Sequence, residues 1–165
     1  ALRYLDRIGM DAVREHEVAL VQAGLKRFAE LEQNHGVNLL GPRDAGAAAD
    51  KVGVFAFTTP EHRHGETSTL LDRHFAIATR NGCFCAQPLL NCLLKLGDKP
   101  AWTRAVSKGE PVEVPGATRA TFGLYNTEAD VDALGDALDA LCAGKLPKAK
   151  AATGGKRKAL AVEVS

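Results

Sequence analysis

Apolar side chains recur every three or four positions in the longest regular stretch of the chain, residues 10–33. This spacing places them on one face of an α-helix; the positions are Val13, Leu20, Val21, Leu25, Phe28 and Leu31. Gly36 follows shortly after and suits the left-handed conformation of a helix C-cap. Gly9 separates this helix from a short helical segment at residues 1–8. The pattern therefore predicts two consecutive helices, the second with one buried face.

Short runs of β-branched and aromatic residues predict the strands. The clearest is residues 51–58, KVGVFAFT, which Pro60 bounds. Residues 37–40, 75–79 and 117–123 are the other predicted strands. Residues 43–50 are rich in Ala and Gly, and we expect them to form a surface loop.

Further helices are predicted between and after these strands. They cover residues 66–73, residues 89–96 with Pro88 near the first turn, and a last helix that begins at Thr127. Asp130 occupies the capping-box position of that helix, which ends at Gly144; its apolar face carries Val131, Leu134, Leu138 and Leu141. Residues 98–116 are expected to form an ordered excursion. The order of elements predicts an α+β fold, a small, mostly antiparallel sheet covered by helices.

Length and composition are those of one ordinary domain, with 165 residues, 45% hydrophobic and 25% charged. No apolar run approaches the roughly 20 residues of a membrane-spanning helix, and no secretory signal opens the chain, so we expect no membrane association. The chain begins with Ala1 inside a predicted helix, from which we expect it to be a fragment or an excised domain.

Charge is unevenly distributed although the net charge is only +1. Six Lys and Arg residues but only one acidic residue, Glu163, follow Gly144. We therefore expect residues 1–143 to form the domain and residues 144–165 to form a flexible basic tail. Such a tail is able to contact an acidic partner or simply to remain solvated. It lacks the aromatic residues that stack on bases, and no nucleic-acid binding is expected.

The cysteines and histidines raise the question of a metal site. Cys83 and Cys85 are separated by a single residue, whereas structural zinc sites usually have two to four residues between paired cysteines, so no metal site is predicted. His62 and His64 are expected to be solvated, and Cys142 to be a small buried side chain. Four cysteines without a signal peptide indicate free thiols in a reducing, cytoplasmic compartment.

The segment RNGCFCAQP, residues 80–88, has turn residues and no periodicity. A cysteine is nucleophilic only as its thiolate, which positive charge or a helix N-terminus favours. Arg80 lies five residues before Cys85, the Pro88 helix begins just after it, and Asn81-Gly82 supplies a permissive turn. These residues alone leave two possibilities open, a reactive thiol and an inert loop cysteine.

Three motifs together resemble one known family. LLDRHFAIATRNGCFCAQP, residues 70–88, resembles the active-site loop of class V pyridoxal-phosphate enzymes, particularly cysteine desulfurases and selenocysteine lyases. TRATFGLYNTEADVDAL, residues 118–134, resembles the closing signature of that family, and RYLDRIGMDAVREHE, residues 3–17, resembles its long helix. The resemblance covers residues 1–143 in one continuous order, and it implies the C-terminal small domain of a fold-type I enzyme.

The resemblance also implies roles for individual residues. Cys85 matches the nucleophile, which attacks the sulfur of a cofactor-bound cysteine, keeps it as a persulfide and releases alanine. Arg119 matches the arginine that holds the substrate α-carboxylate, a task for which a planar guanidinium is suited. Arg80 matches a second arginine beside the loop.

The implied cofactor is pyridoxal 5′-phosphate. In the family its Schiff-base lysine, its pyridine-facing aspartate and its phosphate cup lie in a large domain, and no lysine here lies in a matching motif. We therefore expect a missing large domain as partner, a homodimeric parent protein and a sulfur-acceptor protein. The chain alone is expected to be inactive.

Departures from the family pattern leave alternatives open. Cys83 and Phe84 stand where the best-known bacterial desulfurases have two histidines, which makes the substrate, cysteine or selenocysteine, less secure. Cys83 is able either to resolve a persulfide on Cys85 or only to pack. One alternative function is another class V aminotransferase or lyase in which Cys85 is not catalytic. Another is a free-standing, non-enzymatic domain that uses its basic tail as an interaction arm.

Overall fold

The computed structural model of the chain describes residues 2–97, 101–112 and 114–148. The helices of this part are α1 (Leu2–Ile8), α2 (Met10–His35), α3 (His64–Phe75), α4 (Gln87–Leu93), α5 (Ala101–Ser107) and α6 (Glu128–Cys142), with one 3-10 helix at Ala45–Asp50. The strands are β1 (Asn38–Leu40), β2 (Val54–Thr58), β3 (Arg80–Gly82) and β4 (Ala117–Thr121). The predicted α+β architecture is confirmed.

The four strands form one antiparallel sheet in the order β1-β2-β4-β3. Because side chains alternate along a strand, each row across the sheet points to one face only. The row Leu39, Phe57, Thr118 points to the face on which α2, α3 and α6 pack. The next row, Leu40, Ala56, Arg119 and Arg80, points to the opposite face.

The main core lies between the helices and the first of these faces. Phe28 of α2 stacks on Phe55 of β2 with 5.3 Å between ring centroids, and its centroid is 5.1 Å from that of Phe57. The residues predicted to line the two long helices are buried, except that Val13 is only half-buried. Gly36 caps α2 with φ 71°, as predicted. The Thr127 backbone N–H donates to Asp130 Oδ2 at 2.8 Å, the capping-box contact expected for α6.

Two predicted elements are wrong. Residues 75–79 do not form a strand, because α3 runs on to Phe75 and closes through Ala76, whose φ is 59°. The Ile77 N–H then donates to Leu71 O at 3.1 Å, and the Ile77 side chain packs against the core. The predicted surface loop at residues 43–50 contains the 3-10 helix Ala45–Asp50, which buries Ala48 in the core.

The residues that follow α6 lie partly within the described chain. His74 Nδ1 is 2.7 Å from Pro147 O, which places this stretch beside α3. The predicted basic tail otherwise lies outside the described residues from residue 149 onward, and the boundary after residue 143 stays a prediction. No helix in the described ranges is long and apolar enough to cross a membrane.

Candidate active site

A tight turn presents Cys85 between strand β3 and helix α4. The Ala86 N–H donates to Cys83 O at 2.9 Å, which closes a four-residue turn with Phe84 and Cys85 at its centre. Their φ angles are 55° and 58°, and positive φ at both central positions is the pattern of a type I′ turn. The Cys85 side chain is exposed. The turn thus holds the predicted nucleophile at its apex, in solvent.

The turn lies three residues later than the sequence suggested. Asn81-Gly82 was the expected permissive turn, but both residues belong to β3, where Gly82 has φ 108°. Left-handed backbone is unfavourable for side chains as large as Phe84, at about 1–3 kcal/mol per residue. Packing must therefore hold the turn in this shape.

A small apolar cluster packs against the Phe84–Cys85 turn and holds it in place. Cys83 and Phe84 are half-buried against Leu40, Leu90 and Ala117, with Ala56 and Leu94 beside them. Consecutive residues of the turn therefore point in opposite directions, Phe84 inward and Cys85 outward. Of the two roles left open for Cys83, the packing role has this contact in its support.

The two predicted arginines lie side by side on neighbouring strands. Arg80 of β3 is the direct cross-strand partner of Arg119 of β4, and both point to the face opposite to α2, α3 and α6, on which Leu90 of α4 packs. Like charges directly opposite each other on a sheet are destabilising. In the described part of the chain neither arginine is paired with a carboxylate. The pair therefore forms a cationic position suited to an anion.

Arg119 has an unusual environment. Its Nε atom is buried and has no hydrogen-bond partner among the described residues. Its guanidinium carbon lies 5.0 Å from the centroid of the Phe84 ring, within cation–π range. The structure thus brings the three predicted residues to one edge of the sheet, with Phe84 linking the cysteine turn to Arg119.

A second layer of contacts, centred on His64 and not indicated by the sequence, lies behind β3. His64 is half-buried rather than solvated: Nε2 is 3.3 Å from Val114 O, and Nδ1 is 3.3 Å from Asn81 Oδ1. A methyl group on Gly116 would lie 2.8 Å from the same ring. No local pattern signals these contacts, because they join residues 17 and 50 positions apart. His62 is also half-buried and lies 3.3 Å from Glu66, Nδ1 to Oε1.

Among the other thiols, Cys92 on α4 is exposed like Cys85, whereas Cys83 and Cys142 are half-buried. No disulfide joins any of the four cysteines. Burial, reinforced by the negative charges of Asp139 and Glu61, raises the pKa of the Cys142 thiol. This holds Cys142 in the neutral, unreactive form. In the described ranges no three His, Cys, Asp or Glu side chains are placed to hold a metal ion.

Pyridoxal phosphate needs a lysine together with partners for its phosphate and its pyridine nitrogen. Among the described lysines, burial lowers the pKa of Lys51, whose Nζ lies 5.1 Å from the Phe55 ring centroid. The groove beside Lys51, of about 280 Å³, is lined by apolar groups and the Cys83 thiol, without a carboxylate or a hydroxyl. Lys51 therefore does not fit the cofactor.

A larger cleft lies away from these groups. Its volume is about 640 Å³, and it runs between Thr59, the residues before α3 and the segment around Pro115. Cys85, Arg80 and Arg119 do not line it. Arg80 and Cys85 are exposed, whereas Arg119 is half-buried, so an anion is able to reach this position from the side of Arg80.

The chain is similar to known proteins in sequence and in fold. The family described as Aminotransferase class-V matches residues 1–134. A "Probable cysteine desulfurase" from Halalkalibacterium halodurans is 32% identical over 139 residues, which are 84% of this chain and 27% of that protein. Another from Halobacterium salinarum is 34% identical over 140 residues, again 84% and 27%. The apo structure of a cysteine desulfurase from Thermococcus onnurineus matches with a TM-score of 0.66 at 26% identity, and it covers 86% of this chain and 29% of that one.

Proposed function

Because the chain belongs to the class V aminotransferase family, we propose that it is the thiol-bearing part of a pyridoxal-phosphate-dependent cysteine desulfurase. The chain spans about 27% of the length of the curated relatives it matches. The activity we propose is therefore that of a longer parent protein, in which a large domain holds the cofactor. The observation that carries the proposal is the exposed Cys85 at the apex of a turn beside the Arg80–Arg119 pair.

The arginine pair is the proposed receptor for the substrate carboxylate. Arginine offers a planar fork of donors that binds a carboxylate through two parallel hydrogen bonds. A carboxylate between Arg80 and Arg119 would also offset the repulsion of two cations that face each other across β3 and β4. This accounts for a like-charged pair on this face of the sheet.

Cys85 is the proposed sulfur acceptor. Its thiolate forms a bond to the sulfur of a bound L-cysteine while the carbon–sulfur bond of the substrate breaks, so that a persulfide remains on Cys85; the carbon keeps the electron pair of the broken bond, takes up a proton and leaves as alanine. Pyridoxal phosphate, when bound by the parent, supplies the electron sink for the carbon centre. An exposed apex lets a second protein reach the persulfide, and we propose a thiol-bearing sulfur acceptor as that partner. Free thiols on all four cysteines agree with a reducing, cytoplasmic compartment.

The experiment is sulfide and persulfide production from L-cysteine by the full-length parent protein. Cys85→Ser should abolish sulfur release, because a hydroxyl does not form a persulfide. Cys92→Ser is the matched control, since Cys92 is also exposed and lies on the next helix, and it should retain activity.

Two outcomes would contradict the proposal. Undiminished sulfur release by Cys85→Ser would remove Cys85 from the reaction. Transamination by the wild-type parent without sulfur release would instead favour another class V reaction in which Cys85 is not catalytic.

A further inference from the structure

Phe84 of the cysteine turn contacts Arg119 of β4. Phe84 is half-buried in the small apolar cluster under the turn, and its ring lies 5.0 Å from the guanidinium carbon of Arg119. Phe84 also has φ 55°, a conformation that a bulky residue rarely adopts. A costly backbone conformation at this position directs an aromatic ring toward the arginine.

Arg119 needs such support because no polar group orients it. Within the described ranges no carboxylate pairs with it, and its buried Nε finds no hydrogen-bond partner. A guanidinium without a polar partner has no preferred direction for its donor edge, and ordering that edge on ligand binding costs entropy. Repulsion from Arg80 across the strands also pushes the two guanidinium groups apart.

An aromatic ring restrains an arginine in a way that a carboxylate does not. A carboxylate occupies the N–H donors at the edge of the guanidinium. A ring contacts its planar face and leaves the edge donors free. An arginine that rests on a phenyl ring is therefore ordered and still able to bind a carboxylate through two hydrogen bonds.

We propose that Phe84 is a positioning residue, whose ring holds Arg119 with its donor edge available for the carboxylate of an amino-acid substrate. The identity of that ligand rests on the function proposed above, whereas the pairing of ring and guanidinium does not. The same turn directs Cys85 outward. One local conformation thus fixes both the nucleophile and, through Phe84, the carboxylate receptor.

The pairing is tested by NMR on the 165-residue chain. Ring current from Phe84 should shift the side-chain protons of Arg119 upfield, and nuclear Overhauser contacts should join the ring to the Arg119 Cδ protons. Phe84→Leu keeps an apolar side chain but should abolish the shift, whereas Phe84→Tyr should retain it. Phe75→Leu is the control, because Phe75 is a partly buried aromatic of α3 that packs against the other core cluster.

Two results would overturn the pairing. One is an Arg119 spectrum that does not change in a folded Phe84→Leu variant. The other is the absence of ring contacts to Arg119 in the wild type, and this measurement requires no variant to fold.

The positioning role is tested by steady-state kinetics of the full-length parent. Phe84→Leu should raise KM for L-cysteine by about 3- to 30-fold, the range of a partly desolvated cation–π contact, with a smaller change in kcat. Phe84→Tyr should stay near wild type. An equal rise in KM for both variants, or an effect confined to kcat, would contradict the role. A parent that releases no sulfur from L-cysteine would instead refute the proposed function, and the NMR result would still decide the pairing.

Discussion

Gly116 is the position at which the smallest substitution should disturb the Cys85 turn. A methyl group there would lie 2.8 Å from two atoms of the His64 ring and 2.9 Å from the carbonyl carbon of Gly82. Ordinary van der Waals contact begins near 3.4 Å, so these neighbours must retreat by about 0.5–0.6 Å. The contacted Gly82 atom belongs to the backbone and directly precedes Cys83. Its displacement should therefore shift the Phe84–Cys85 turn as well.

The expected cost follows from two opposing effects. Overpacking a close contact typically destabilises by about 1–3 kcal/mol. Replacing glycine by alanine also restricts the unfolded chain, which returns about 0.4–1 kcal/mol where the backbone allows it. Gly116→Ala should therefore lower the free energy of unfolding by about 1–2 kcal/mol, with overpacking as the larger effect.

Urea denaturation of the 165-residue chain measures this change. Site-resolved alkylation of Cys85, followed by fragment-ion mass spectrometry, reports whether the turn has moved. Gly46→Ala is the control, because a methyl group at Gly46 meets no atom within 4 Å, and it should be neutral or slightly stabilising. A Gly116→Ala variant as stable as wild type, with Cys85 alkylated at an unchanged rate, would refute the argument.

Three further predictions concern the stability of helices α2 and α6, which pack on the sheet that carries the site. Gly24→Ala should lower the free energy of unfolding by about 1–3 kcal/mol despite the better helix propensity of alanine, because its methyl group would overlap the Phe55 ring. Thermal or urea unfolding measures this change, and a stabilised variant would contradict it. Arg27→Met should lower the free energy of unfolding by about 1–3 kcal/mol, because Arg27 Nη2 of α2 lies 2.7 Å from Asp136 Oδ1 and 2.5 Å from Asp139 Oδ2 of α6. High salt should reduce the difference in stability from wild type, because it screens these ion pairs. The hydrogen bond from the Thr127 N–H is the main cause that lowers the pKa of Asp130, so Asp130→Ala should reduce the melting temperature at neutral pH. The difference in melting temperature from wild type should shrink as the pH falls below 3.8, the ordinary pKa of the carboxyl group, because the carboxylate is then protonated. An unchanged difference at pH 3 would argue against the cap.

The parts of the fold that could be predicted are those that local pattern determines. Helices α2 and α6 each have an apolar face of regular period and a recognisable end, and both were placed within a few residues. Strand β3 could not be placed, because Arg-Asn-Gly has no strand preference of its own. It becomes a strand only by pairing with β4, whose partner residue Arg119 lies far along the chain.

Some residues of the candidate site could likewise be predicted from the sequence, and others could not. The residues around Cys85 left a reactive thiol and an inert one equally open, and only the resemblance of three motifs selected the reactive one. His64 and Gly116 carried no local signal, because their contacts depend on a segment about 50 residues away folding back against α3. Distance along the chain, more than any weakness of the motifs, limited what could be predicted.

The turn at Phe84 and Cys85 is the position where local preference and tertiary structure disagree most. Glycine or asparagine would adopt these positive φ angles at little cost, yet two side chains with no such preference occupy them. Neither could be exchanged for glycine without losing a function that we propose: the ring beneath Arg119 in one case, the thiol in the other. A conflict of this kind is expected where a site is held in a strained conformation by its surroundings. The strain then accounts for both failures of local prediction here, the turn placed three residues early and the ring not recognised as part of the site.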